Sequence, residues 1–209
     1  MQADVRVRLF SMLGCAAVAV FIYSRIARLS FRRVLDVLAL PTIAGLMIHR
    51  VGCFLAGCCW GDLVSSEPVT RFAAQVQTLP FLGGLTNGVS FPPGSLAFEQ
   101  HVAMGLMGPG APTSLPVYPV QLVESALLLV VLLALSQIPW RHLPAGLLTV
   151  LVICAYATLR FFLEYLRADG PVVLGNLTIT QLQCLLLIFS ATLLPGLVRQ
   201  ARSAPDKTA

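Results

Sequence analysis

The sequence predicts an all-α integral membrane protein with about five transmembrane helices, and its composition carries that prediction. Of the 209 residues, 57% are hydrophobic and only 11% are charged, and the mean hydropathy is +0.83. A soluble domain has about 25% charged and roughly 45–50% apolar residues, so a water-soluble chain of this size could not bury so much apolar surface. The same excess excludes disordered, collagenous and coiled-coil proteins.

Five apolar segments are long enough to cross a bilayer, which takes about 20 residues in a helix. They are residues 9–27, 34–60, 118–138, 144–166 and 177–198. Residues 61–117 are rich in Gly, Pro, Ser and Thr, too long for a simple loop and too polar for a span. We therefore expect two helices in 1–60, an extracytoplasmic insertion in 61–117, three helices in 118–200 and a cytoplasmic tail in 201–209.

Basic residues lie in alternate connections between these segments. They occur in 25–33, in 139–143 and in 199–209. Because Lys and Arg are enriched in cytoplasmic loops, we expect an N-out, C-in orientation. The formal net charge of +5 does not indicate a nucleic-acid partner, because no basic face carries interleaved aromatic residues.

An ionisable residue inside an apolar segment is costly and marks a functional site by default, and four such residues stand out. They are Arg50, Glu124, Arg160 and Glu164. With this orientation all four fall at the outer level of the membrane, and Arg160 and Glu164 share a helix face. Guanidinium groups suit a phosphate, and the phosphate at that depth is a phospholipid head group. The alternative is a set of ion pairs at helix ends with snorkelling arginines.

The stretch HRVGCFLAGCCWG (49–61) combines an arginine with three glycines and three cysteines. Glycines here let a helix or a ligand approach the backbone closely. The C-x4-C-C spacing of Cys53, Cys58 and Cys59 matches no standard zinc pattern, so we expect neither a metal nor another cofactor. A disulfide on the oxidising outer side and packing as small residues both stay open. The lack of a CxxC motif disfavours a thiol-redox protein.

Three blocks, HRVGCFLAGCCWG, YPVQLVES and YATLRFFLEYLRAD, follow one another at the outer ends of predicted spans. They resemble the signature blocks of the bacterial prolipoprotein diacylglyceryl transferase family over roughly residues 10–200. The matching positions are Asp36, Arg50, Gly52, Pro119, Gln121, Leu122, Glu124, Arg160, Phe161, Glu164, Arg167 and Gln181. Cys53 and Tyr118 stand where the family has an asparagine and a histidine.

The resemblance implies a multi-pass enzyme of the bacterial inner membrane. Such an enzyme transfers a diacylglyceryl group from phosphatidylglycerol to the lipobox cysteine of a prolipoprotein signal peptide. In this chain it implies that Arg50 and Arg160 hold the leaving phosphate, that Glu164 orients Arg160, and that Glu124 orients Arg50 or contacts glycerol hydroxyls. The implied substrate-binding residues are Gly52, Cys53, Tyr118, Gln121, Glu124, Arg167 and Gln181.

The general base is where the chain departs from the family. The family has an essential histidine in a His-Gly-Gly-Leu block and begins with about two further helices, whereas the equivalent residues 9–14 contain no histidine. His142 is expected on the cytoplasmic side, and His49 points about 100° away from Arg50 on a helix. We therefore expect His101, in a short helix-like stretch, to act as the base. The alternatives are a solvated surface histidine and an inactive relative that binds lipid or lipoprotein as a partner or chaperone.

Overall fold

The computed structural model of the chain describes residues 15–16, 18–64, 88–167, 172–174 and 177–203. This part is helical apart from one short ribbon and two isolated bridges. In chain order the helices are α1 (18–26), α2 (Phe31–Leu55), α3 (Leu96–Ala103), α4 (Val120–Ser136), α5 (Leu147–Leu163) and α6 (Ile179–Ser203). Three-residue 3₁₀ helices occupy Trp140–His142 and Glu164–Leu166. The antiparallel ribbon joins β1 (Val172–Leu174) to β2 (Leu177–Thr178).

The helix boundaries differ from the predicted segments for local reasons. Segment 34–60 corresponds to α2, which ends at Leu55 because Gly57 adopts a φ of +63° and turns the chain back across the helix end. Segment 144–166 corresponds to α5 with its 3₁₀ extension, and α5 begins only after Gly146, whose φ is +94°. The ribbon between α5 and α6 is not predicted by any sequence pattern. Residues 9–14 of the first segment lie outside the described part.

Two helices in the described part are long and apolar enough to cross a membrane. They are α2, with 25 residues, and α5 with its extension, Leu147–Leu166, with 20. Only 17% and 28% of their most apolar windows are buried, so most of their apolar side chains face outward, unlike those of a soluble core helix. The apolar helices Val120–Ser136 and Ile179–Leu193 are shorter. The membrane character is therefore confirmed, whereas the number of five spans stays a prediction.

The helices form one bundle in which α2 packs against α4 and α5, and α5 packs against α6. Its main core contains five buried side chains from α2, α4 and α5, namely Ala39, Ile43, Leu128, Leu148 and Val152. A polar contact supports the α2–α4 packing, because the Ser125 hydroxyl donates to the Met47 carbonyl oxygen at 3.2 Å. This packing fixes the order of the helices around the site described below.

Asp36 joins α2 to the start of α5 at one end of the bundle. Its carboxylate is 2% exposed and accepts from the Gly146 N–H at 2.7 Å, the Thr149 N–H at 3.0 Å and the Thr149 hydroxyl at 2.9 Å. A carboxylate there satisfies donors that a helix start leaves unpaired and complements the helix dipole. Arg33 donates to the carbonyl oxygens of Trp140 and Leu143, each at 3.3 Å. The two basic connections, 25–33 and 139–143, therefore lie at the same end.

Gly61 lies where three segments meet at the opposite end. Its N–H donates to the Tyr118 carbonyl oxygen at 2.9 Å, and the Asp62 N–H donates to that of Leu166 at 3.1 Å. A Cβ at Gly61 would lie 2.9 Å from each of these two carbonyl oxygens. Only glycine therefore allows the chain leaving α2 to contact the start of α4 and the end of α5 together.

The described part of the insertion has a small core of its own. Val117 is fully buried and forms bridges with both Leu63 and Val89. The His101 ring on α3 is 0% exposed and packs edge-on against Trp60 with centroids 4.8 Å apart. Burial lowers the pKa of His101 from 6.5, so its ring is neutral at neutral pH. The alternative of a solvated surface histidine is therefore wrong, because the insertion folds over this ring.

We expect Asp36→Ala to lower the free energy of unfolding by about 1–3 kcal/mol, because it leaves buried N–H and hydroxyl donors without an acceptor. Asp36→Asn keeps one acceptor oxygen and is expected to fall between Asp36→Ala and wild type. Thermal unfolding in detergent micelles measures both variants. If Asp36→Ala had the same Tm as wild type, the Asp36 hydrogen bonds would not stabilise the contact between α2 and α5.

The insertion is expected to loosen as the pH falls below about 6.5. The folded state holds His101 at a lowered pKa, so the unfolded state binds the proton more readily and stability is lost with falling pH. The chain has two tryptophans, so in Trp140→Phe protein the fluorescence of Trp60 reports on this contact. His101→Phe should remove the transition between pH 7 and 5. A transition of unchanged size in that variant would assign it to another group.

Candidate active site

The first element of the site is an ion pair between α2 and α4. Arg50 Nε lies 2.9 Å from Glu124 Oε1, and the arginine side chain is 13% exposed against 1% for the glutamate. Glu124 stands near the start of α4 and Arg50 near the end of α2, so the two come together because these helices are antiparallel neighbours. The arrangement leaves the guanidinium as the part of the pair that faces outward.

The second ion pair lies within one helix end and its 3₁₀ extension. Arg160 Nη2 is 2.9 Å from Glu164 Oε2, with side chains 14% and 3% exposed. The Thr178 hydroxyl donates to the other carboxylate oxygen, Glu164 Oε1, at 3.1 Å. Glu164 is therefore held from two sides, by α5 and by the start of α6, and it fixes the direction of the Arg160 guanidinium.

Gln181 and Thr178 form a reciprocal cap at the start of α6. The Gln181 N–H donates to Thr178 Oγ1 at 3.3 Å, and the Thr178 N–H donates to Gln181 Oε1 at 3.0 Å. This is the capping-box arrangement that satisfies two unpaired donors of a helix start. The side-chain oxygen of Gln181, an expected substrate-binding residue, is therefore engaged by the Thr178 N–H. Gln181 positions Thr178, which in turn supports Glu164.

Tyr156 joins the two ion pairs. It lies one turn before Arg160 on α5, so Tyr156, Arg160 and Glu164 share one face. Its side chain lies near that of Arg50. One helical turn rises about 5.4 Å, so Arg50 lies near α5 about one turn before Arg160, on the same face of that helix. The two arginines and two glutamates singled out in the sequence thus form two ion pairs, Arg50–Glu124 and Arg160–Glu164.

Several polar atoms of this cluster are buried without a hydrogen-bond partner among the described residues. They include Arg160 Nη1, Glu124 Oε2 and Gln121 Oε1. A buried polar atom that lacks a partner costs roughly 1–3 kcal/mol, so such atoms usually mark a place where a ligand or water binds. An unpaired guanidinium N–H suits an anion, and unpaired carboxylate and amide oxygens suit hydroxyl groups.

Gln121 and Tyr118 attach the start of α4 to the chain that follows α2. The Gln121 Nε2 donates to the Cys58 carbonyl oxygen at 2.6 Å. Tyr118 is 8% exposed, and burial together with nearby Asp62 raises the pKa of its phenol, so the hydroxyl stays protonated at neutral pH. Both expected substrate-binding residues thus also hold the backbone around the ion pairs.

Gly52 and Arg167 lie at the edges of this cluster. No other segment of the described structure comes within 4 Å of a Cβ built on Gly52, so this glycine serves no close helix packing. The Arg167 N–H donates to the Glu164 carbonyl oxygen at 3.1 Å and ends the 3₁₀ turn. The His101 ring contacts Trp60, and neither ring nitrogen has a hydrogen-bond partner among the described residues.

Three thiols converge where the chain leaves α2. The Sγ atoms of Cys53, Cys58 and Cys59 all lie within 4.8 Å of one another, and Cys53 Sγ is 3.5 Å from His49 Nε2. All six cysteines of the chain are free in the structure. Burial, with Cys59 and Cys53 beside it, raises the pKa of Cys58 to about 12, so this thiol is protonated at neutral pH. The expected substrate-binding residue Cys53 belongs to this cluster.

Two residues of the site escaped the sequence reasoning. Thr178 begins a Thr-x-x-Gln pattern, which is a capping signal visible in the sequence alone. Tyr156 has the i, i+4 spacing to Arg160 and looked like an ordinary apolar position in the span. The contact of Tyr156 with Arg50 depends on how α2 packs against α5, which spacing does not show.

Comparison with known proteins agrees with this picture. The family model described as prolipoprotein diacylglyceryl transferase matches residues 11–195. A phosphatidylglycerol–prolipoprotein diacylglyceryl transferase of Dehalococcoides mccartyi is 27% identical over 194 residues, which is 93% of this chain and 61% of the relative. One of Clostridium novyi is 27% identical over 179 residues, 86% of this chain and 58% of the relative. The chain thus spans about three fifths of these relatives, and it belongs to the prolipoprotein diacylglyceryl transferase family.

Proposed function

We propose that the chain transfers a diacylglyceryl group from phosphatidylglycerol to the lipobox cysteine thiol of a prolipoprotein signal peptide. The observation that carries the proposal is the pair of arginines, Arg50 and Arg160, each oriented by a buried glutamate at one end of an apolar bundle. Family membership and the names of the relatives support the same reaction.

The reaction sets clear demands on the site. A C–S bond forms between the thiolate and a glyceryl carbon, the C–O bond to the phosphate breaks, and the electron pair leaves on glycerol phosphate. The phosphate oxygens gain charge as this bond breaks, and preorganised donors at that position stabilise the transition state. Arg160, with its unpaired Nη1, and Arg50 are suited to this role. Arg167 is proposed as a further substrate contact.

The remaining residues position the substrates. Glu124 Oε2 and Gln121 Oε1 are unpaired acceptors, and we assign them to the hydroxyl groups of the glycerol head group. Gly52 leaves open space at the surface of α2, which suits the approach of a lipid. Cys53, Tyr118 and Gln181 shape the same end of the bundle and complete the proposed substrate-binding set. The reaction needs no metal or cofactor in this scheme.

The proposal includes a place in the cell and an orientation. The chain crosses the bacterial inner membrane about five times, N-out and C-in, with its ion pairs at the outer face. Two observations support it. The basic connections 25–33 and 139–143 share one end of the bundle, and the ion pairs lie at the other, where residues 61–64 and 88–117 pack. The proposed units are 1–60, the insertion 61–117, the helices of 118–200 and the tail 201–209.

His101 is our proposed general base. Burial lowers its pKa, so the imidazole is neutral, which is the form that accepts a proton from the lipobox thiol. Neither ring nitrogen is engaged by a described residue. Because the ring is 0% exposed, the thiol reaches it only when the packing around Trp60 opens. A catalytically inactive relative that binds lipid or lipoprotein is the second candidate, favoured by the absence of a histidine in residues 9–14.

We expect Arg160→Lys and Arg50→Lys each to lower kcat of transfer by roughly 10²-fold, because lysine keeps the charge but loses the planar fork of donors. The assay follows a labelled diacylglyceryl group from phosphatidylglycerol to a lipobox peptide. Arg141→Lys, in the basic connection at the other end, is the matched control and should keep wild-type kcat. Wild-type kcat in a folded Arg160→Lys protein would remove Arg160 from phosphate binding.

The second candidate function is separated by complementation. Wild-type chain is expected to restore growth to cells depleted of their own transferase, and Arg160→Lys is expected not to. A wild-type chain that reaches the membrane, binds phosphatidylglycerol vesicles and still fails to restore growth would favour the inactive relative.

The role of His101 is tested by two replacements of different shape. If His101 is the base, both His101→Gln and His101→Phe lower kcat by at least about 10²-fold, because neither side chain accepts the proton. A packing role beside Trp60 requires only an aromatic ring, so His101→Phe would then keep full transfer activity. That second result would contradict the assignment.

A further inference from the structure

Cys53 forms a cluster with two further thiols, Cys58 and Cys59, and the proposed transfer reaction does not use the sulfur chemistry of these thiols. Cys53 is buried on the last turns of α2, Cys58 is half-buried and Cys59 is exposed. The chain brings them together by reversing direction just after the helix. Gly57 and Cys59 both adopt positive φ, +63° and +59°, and a positive φ is uncommon for a residue other than glycine. This turn places two adjacent cysteines beside a third that lies on the helix.

The spacing of the sulfur atoms fits a small metal ion. The three Sγ atoms lie within 4.8 Å of one another. Tetrahedral Zn²⁺ with Zn–S bonds of about 2.3 Å requires S···S distances of about 3.8 Å. The difference of at most about 1 Å is shared by two side chains, so each sulfur moves by roughly 0.5 Å, which stays within one χ1 rotamer.

A fourth ligand of the right type stands next to one of the three thiols. His49 lies one turn before Cys53 on α2, and its Nε2 is 3.5 Å from Cys53 Sγ. Histidine and cysteine four residues apart on a helix present their donor atoms on one face. Three thiolates and one imidazole form a Cys₃His set, which holds zinc in structural sites. A set of soft donors with no carboxylate does not suit Mg²⁺ or Ca²⁺.

We propose that Cys53, Cys58 and Cys59, with His49 as the fourth ligand, bind one Zn²⁺ ion at the end of α2. Binding releases three thiol protons and joins the turn 56–60 to the helix. The site is reached from outside the bundle through the exposed residues His49 and Cys59. Three thiolates and Zn²⁺ carry a net charge of −1, and Arg50 lies close enough to Cys53 and Cys59 to offset it.

The ion would act on the site through the backbone. Gln121 donates to the carbonyl oxygen of Cys58, so a fixed Cys58 also fixes the start of α4, where Glu124 pairs with Arg50. The proposal does not depend on the transferase activity, because its readout is the metal itself.

The test uses the full chain in detergent micelles, purified under reducing conditions and stripped of metal by a chelator. Titration with Co²⁺ is expected to give a thiolate charge-transfer band and the d–d bands of tetrahedral cobalt at one ion per chain. Zn²⁺ should displace Co²⁺, in the order of affinities of divalent metals. Zn²⁺ should also raise the Tm of the stripped protein.

Single variants locate the site. Cys53→Ser, Cys58→Ser and Cys59→Ser should each weaken Zn²⁺ binding by about 100-fold or more, because even residues outside the ligand set cost 10–100-fold. His49→Gln should weaken binding and shift the cobalt bands. Cys154→Ser, in the middle of α5, is the matched control and should bind as wild type does. The exposed position of Cys59 makes Cys59→Ser the variant that tests binding with the least effect on folding.

Three outcomes would overturn the proposal. The first is that the stripped wild-type chain takes up no Co²⁺ or Zn²⁺ at one equivalent. The second is unchanged uptake in Cys59→Ser, which would place the metal elsewhere. The third is that thiol labelling of chain isolated without reductant finds four free cysteines and a disulfide among Cys53, Cys58 and Cys59, which would make the cluster a redox pair.

Discussion

Two glutamates, Glu124 and Glu164, lie almost completely buried at one end of the bundle, and each is paired with one arginine at 2.9 Å. Moving an ionised carboxylate out of water costs several kcal/mol unless a partner compensates. The arginines therefore cannot leave, and α2, α4, α5 and the start of α6 must stay in register around them. The pairs bind the helices together at the level where the chemistry is proposed, and they turn the guanidinium groups outward.

The opposite end of the bundle is held by hydrogen bonds from side chains to the backbone. Asp36 caps α5 from α2, and Arg33 holds the connection that precedes α5. Asp36 and Arg50 are 14 residues apart on one helix, about 21 Å along its axis. The capped end and the ion-paired end are thus separated by most of a membrane thickness. One continuous helix, α2, carries both polar clusters.

Several residues at this end of the bundle position other side chains. Thr178 and Gln181 cap α6 and hold Glu164, and Gln121 holds the turn after α2. Precise placement of this kind is what transfer between two bound substrates requires, because small displacements of reacting groups cost large factors in rate.

The sequence by itself determined the membrane character, the family and the residue types at the site, because hydrophobic runs and short motifs depend only on residues close together in the chain. It also determined the Arg160–Glu164 pair, since residues four apart on a helix are neighbours. Only the tertiary structure decided that Arg50 pairs with Glu124, that Tyr156 reaches Arg50, that the insertion buries His101, and that three thiols converge. These contacts join segments that are distant in sequence or depend on a reversal of the backbone after a helix. The packing of the helices therefore determines them, and the spacing of residues along the sequence does not.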